Sequence, residues 1–141
     1  MPDNQPKERI LIHITADPST AMLIRRGRRV ADYLRADCTA LFVHQAPELP
    51  QLPAEEREAV EKHLRFARSL QIETRILAGI DIAKTVVEFA RQNRVTQIFV
   101  AHPHPGFLER LRGKHFTEDI VRLAQDLQVT IVADRSRRQA P

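Results

Sequence analysis

Arg9-Ile10-Leu11-Ile12-His13-Ile14-Thr15 is a nearly continuous apolar run. It breaks at Ala16-Asp17-Pro18-Ser19-Thr20 and re-enters the chain as a helical pattern, and Cys38-Thr39-Ala40-Leu41-Phe42-Val43-His44 follows as a second apolar run. A strand without polar alternation is one covered on both faces, which is the signature of a parallel sheet. A strand feeding a helix through a tight polar turn also aims backbone N–H groups and a positive helix end at one spot, a geometry suited to a nucleotide phosphate. The turn holds no glycine, so it is neither a dinucleotide fingerprint nor a P-loop.

Working outward, the helix from Ser19 to about Arg35 lines up Leu23, Ile24, Gly27, Val30, Ala31 and Leu34. Its wet face carries Arg25, Arg26, Arg28 and Arg29, with Arg28 and Asp32 at four-residue spacing. Gly27 in mid-helix costs about 1 kcal/mol against alanine, which predicts a close helix–sheet approach there. Further on, Pro53 is expected at the first position of a helix reaching Leu70, with Val60, Leu64 and Ala67 inward and His63 on the surface. Ile72–Leu77 alternates like an edge strand, and Asp81 is expected to cap a helix over Ile82–Asn93. Strands at Gln97–Ala101 and Val129–Ala133 flank a helix near Phe116–Leu127.

Five strands alternating with helical connections predict one α/β domain: a doubly wound five-stranded parallel sheet with helices on both faces. The domain is expected over 9–134, with an arm at 1–8 and a tail at 135–141. Ligands of such sheets bind beyond the carboxyl ends of the strands, where strand order reverses. The turn at Thr15–Thr20 and the one after Ala101 should therefore face each other.

Composition sets the outer limits. The 141 residues are 43% hydrophobic and 28% charged, with a net charge of +4 and only 5% aromatics, which argues for an ordinary folded domain and against nucleic acid as partner. Cys38 is the single cysteine, so no internal disulfide forms and a cytoplasmic setting is expected; at the head of an apolar strand it reads as a small hydrophobe. No leader-like start and no run of about 18 apolar residues occurs, so membrane insertion is not expected.

These segments resemble the universal stress protein family, most closely the version found in potassium-sensing histidine kinases of the KdpD type. The likeness is carried by Arg9–Ile12 through Leu23-Ile24-Arg25, by Cys38–Val43, and by Gly79-Ile80-Asp81-Ile82-Ala83 continuing to Glu88–Arg91 and Arg94–Ile98. With no kinase segment in the sequence, a stand-alone module is expected. The resemblance implies a stress or osmotic signalling protein that binds ATP, AMP or cyclic di-AMP, needs no cofactor and is not an enzyme.

Some members of this family bind ATP through an acidic residue at the end of the first strand and a glycine-rich loop after the fourth. Carried over, Asp17 takes the acidic role and Val43 borders adenine. Ala101 and His104 stand where two loop glycines belong, Gly113-Lys114 replaces Gly-Ser, and Pro103 and Pro105 remove N–H donors. The cyclic di-AMP motif keeps its spacing, with Thr15-Ala16-Asp17, twenty residues from Pro18 to Asp37, then Cys38-Thr39-Ala40-Leu41-Phe42. The implied site has Thr15, Ala16, Asp17 and Ser19 on one wall, Thr39, Phe42 and Val43 toward the base, Gly79 and Asp81 at the edge, and Ala101, His102, Gly113 and Lys114 toward phosphate. Two alternatives stand beside it: a ligand-free homodimer pairing through the last strand, and a weak metal-assisted nucleotide hydrolase using His44, His102, His104 and His115. Neither a nucleophile with its base nor a paired carboxylate marks a catalytic centre.

Overall fold

A computed structural model describes residues 7–45, 52–102 and 116–133. The elements run β1 (Arg9–Ile14), α1 (Thr20–Leu34), β2 (Asp37–His44), α2 (Ala54–Ser69), β3 (Glu73–Ala78), α3 (Ile82–Gln92), β4 (Gln97–Ala101), α4 (Phe116–Leu123) and β5 (Gln128–Val132). All strand pairs are parallel and the sheet order is β3-β2-β1-β4-β5, so the order reverses between β1 and β4 as the alternation of segments implied.

Side-chain alternation splits the core into two layers. Ile10, Ile12, Ile14, Ala40 and Phe42 face Leu23, Ile24 and Ala31 of α1 and Val60, Leu64 and Ala67 of α2. Leu11, Leu41, Val43, Ile98 and Val100 face Val86, Val87 and Ala90 of α3 and Ile120 of α4. β1 is buried on both faces from Ile10 onward, which is why its sequence shows no polar alternation. β3, at one edge, exposes Glu73, Arg75, Ile76 and Ala78. No helix among the described residues is long and apolar enough to cross a membrane.

Gly27 is where α1 presses on β1: a Cβ there would lie 2.7 Å from Ile12 Cγ1. Asp81 caps α3 by accepting the Lys84 N–H at 3.1 Å. Two details differ from expectation. Pro53 occupies the cap position rather than the first turn of α2, its ψ of 142° being extended. His63 is buried, because it falls on the same stripe as Val60, Leu64 and Ala67. Non-glycine residues in the left-handed region follow three helices, Arg35, Gln71 and Arg94, each at a strain of about 1 kcal/mol.

The amino edge is tied in early. Lys7 pairs with Asp37 at 3.4 Å, and the Thr96 hydroxyl donates to the Glu8 carboxylate. Cys38 is buried, and burial pushes its thiol up to about 11, so it behaves as an inert apolar residue.

Candidate functional site

The polar turn between β1 and α1 lies at the sheet's reversal and is closed by its own side chains. The Thr15 hydroxyl accepts the Asp17 N–H at 3.1 Å and lies 3.0 Å from the Thr20 hydroxyl. Asp17 Oδ1 accepts both the Ser19 N–H at 2.8 Å and the Ser19 hydroxyl at 2.7 Å. Asp17 and Ser19 are 1% and 2% exposed, so this network is part of the fold's interior. Ser19 stands at the cap position of α1, but its side chain makes no cap bond.

Asp17 accepts the N–H of Ser19 just ahead of α1, and no side chain caps the first turn of the helix itself.

A second buried group ties the turn to α2. His63 Nδ1 lies 3.0 Å from the Thr15 carbonyl, and since a carbonyl only accepts, Nδ1 carries the proton. Burial lowers the pKa of His63 and Lys62 adds to that; the Thr15 bond and the Asp17 charge oppose it. The reading from sequence placed this histidine on the surface. The i, i+3, i+4, i+7 spacing of Val60, His63, Leu64 and Ala67 was the signal that could have found it.

The other expected residues are distributed as follows. Phe42 and Val43 are both buried, but consecutive strand residues point to opposite faces: Phe42 packs on the α1/α2 side and Val43 on the α3/α4 side. They cannot flank one base together. Thr39 pairs in register with Leu11 and Glu73 near the amino end of β2, where it lines a depression with Arg28, Asp37 and Glu73. Strand length separates it from the reversal by roughly 16 Å, at the usual rise per residue. Gly79 donates its N–H to the His44 carbonyl at 3.0 Å, and a Cβ there would meet Thr85 Cβ at 3.0 Å. Asp81 is exposed and committed to capping α3.

Ala101 is half-buried at the end of β4, next to the exposed His102, whose N–H reaches the Val132 carbonyl at 2.9 Å. His104, Gly113, Lys114 and His115 lie outside the described residues, as does the rest of 103–115. The carboxyl ends thus bring together Thr15, Ala16, Asp17, Ser19, His44, Gly79, Ala101 and His102. Among the described residues no three histidine, cysteine or acidic side chains are grouped to hold a metal ion. His44, named from sequence only as a possible metal ligand, is the notable arrival. It is 6% exposed, its ring stacks on Phe42 at 6.0 Å and 17°, and its Nδ1 has no hydrogen-bond partner among the described residues.

No family profile matches the chain. Over 96 residues, 68% of its length, it is 26% identical to the sensor protein KdpD of Mycobacterium tuberculosis (strain H37Rv), of which the match spans 11%. Similar solved structures are universal stress proteins. One in complex with cAMP superposes with a TM-score of 0.66 at 17% identity, covering 92% of this chain and 98% of its own. One from Archaeoglobus fulgidus in complex with dAMP gives 0.60 at 14% identity, covering 90% and 98%. UspA from Lactobacillus plantarum gives 0.60 at 18% identity, covering 92% and 99%. The chain has the universal stress protein fold, and in sequence it resembles a segment of the KdpD sensor.

Proposed function

We propose that this protein binds an adenine nucleotide beyond the carboxyl ends of β1 and β4 and signals its occupancy to a partner protein, as a stress or osmotic response module of the cytoplasm. It acts by binding rather than by catalysis. The observation that carries the reading is the buried polar turn Thr15–Thr20 at the one place where an otherwise apolar parallel sheet reverses its order. Two structures of this fold hold cAMP and dAMP, which supports an adenine ligand here. Calorimetric titration with ATP, AMP and cyclic di-AMP tests it. Heat of binding is expected with at least one of the three, and the ranking identifies the physiological class; no heat with any of them refutes the reading.

A second reading is favoured by a separate observation. β5 is an edge strand, and Ile131 on it is 44% exposed beside Val121 at 49%, with Thr117, Arg122 and Gln125 around them. An exposed apolar edge strand is a template for pairing with a second copy. On this reading the module is a homodimer whatever it binds. Ile131→Glu is expected to shift the sedimentation coefficient from dimer to monomer; a wild-type monomer at all concentrations removes the reading.

A further inference from the structure

The amino end of the sheet, opposite the reversal turn, carries a polar depression of about 330 Å³ that the proposed nucleotide site leaves unused. That volume falls at the lower end of the range for small-molecule sites. Three neighbouring strands supply its wall: Arg9 of β1 is in register with Asp37 of β2, and Thr39 of β2 with Glu73 of β3. Arg28 of α1 and Asn93, just past α3, complete it. The charges are balanced but loosely joined. Arg9 Nη1 donates to the Asn93 carbonyl at 3.2 Å, and its Nε stands 3.9 Å from Asp37. Glu73 meets Arg75 only at 4.0 Å. Arg28 is paired through Nη2 with Asp32 at 2.8 Å, while its Nε is buried and has no acceptor among the described residues. Buried donors are almost always paired, so a missing partner calls for a cause.

We propose that this depression is a second binding site, for a small zwitterion of the α-amino acid class, whose carboxylate accepts from Arg28 and whose ammonium faces the carboxylates of Asp37 and Glu73. An acceptor is what Arg28 lacks, and a carboxylate meets the Nε–Nη edge of a guanidinium with two parallel bonds. A small turn of the guanidinium, held only by the exposed Asp32, presents that edge to the ligand. Two arginines beside two carboxylates offer no net attraction to a phosphate or a simple cation, whereas a molecule bearing both signs finds a partner for each. Helices α1, α2 and α3 all end at this edge of the sheet, where their carbonyl ends favour an ammonium group. The site stands apart from the nucleotide reading, and neither needs the other.

Titrating the ¹⁵N-labelled protein with the standard α-amino acids tests it. At least one of them is expected to give saturable amide shifts centred on Asp37–Thr39 and Glu73. Acetate and ethylamine, each bearing one half of the charge pair, should bind at least about tenfold more weakly than that amino acid. Arg28→Lys keeps the charge and its spacing to Asp32 but removes the Nε–H and the planar fork, and should weaken the amino acid about tenfold. Glu73→Gln should weaken the amino acid by a similar factor while leaving acetate unchanged. No saturable shift at this end with any amino acid overturns the proposal. Acetate binding as tightly as the best amino acid, or full affinity for it in Arg28→Lys, overturns it equally.

Discussion

Between pH 6.5 and about 4, the folded protein is expected to lose about 3 kcal/mol of stability through His13 alone. His13 is 6% exposed near the carboxyl end of β1, its ring stacked 4.7 Å from that of Phe116 of α4. Burial lowers its pKa to about 4, because a charged imidazole between sheet and helix would lose its hydration. Above pH 6.5 the ring is neutral in both folded and unfolded chains, and no penalty exists. As pH falls below 6.5 the unfolded chain takes the proton and the folded one does not, so unfolding gains ground. Once pH passes below about 4 both states are protonated and the loss levels off. His63, also lowered, acts in the same direction. Urea unfolding of the wild type and His13→Leu at pH 7 and pH 4.5 checks this. The variant should be distinctly less acid-sensitive; equal losses in both proteins would show that His13 does not resist protonation.

Truncating Ile12 to alanine is expected to cost about 3 to 4 kcal/mol, since its side chain is fully buried between the sheet and α1. Gly27→Ala should cost about 1 to 3 kcal/mol despite the better helix propensity of alanine, because the added methyl meets Ile12. The two changes are coupled through one space. The methyl added at position 27 fills part of the hole left at position 12, so the double variant should lose at least 1 kcal/mol less than the sum of the singles. Chemical denaturation of the four proteins closes the cycle. Additivity within about 0.5 kcal/mol would mean that α1 does not approach β1 at Gly27 as closely as described.

Those two residues also show why the fold was legible in the sequence. Gly27 inside a helical stripe had one economical explanation, close contact with the sheet, and the contact is there. Gln97–Ala101 was read with both boundaries correct, and Asp81 does cap α3, because both signals are local. Order reversal between β1 and β4 followed from the alternation of strands and helices.

The site was less legible, since its meaning depends on which face and which end each residue occupies. Phe42 and Val43 are neighbours in sequence but lie on opposite faces of β2, and Thr39 is at the wrong end of the same strand. Asp17 looked like a ligand contact; in the folded protein its Oδ1 is committed to Ser19. The burial of His63 was readable from its helical spacing, but its partner, the Thr15 carbonyl, is 48 residues away in sequence, and no local pattern encodes that pairing. His44 was noticed for its imidazole, but an orphaned atom is visible only when the surroundings are known.

Backbone amide shifts of the ¹⁵N-labelled protein, recorded as AMP is added, test most directly whether the ligand enters where the sheet reverses. Changes are expected to centre on Thr15–Thr20, His44–Gln45, Gly79 and Ala101–His102, and to leave Asp37–Thr39 and Glu73 at the opposite end still. Saturable shifts centred on that opposite end, or no shifts at all, would contradict it.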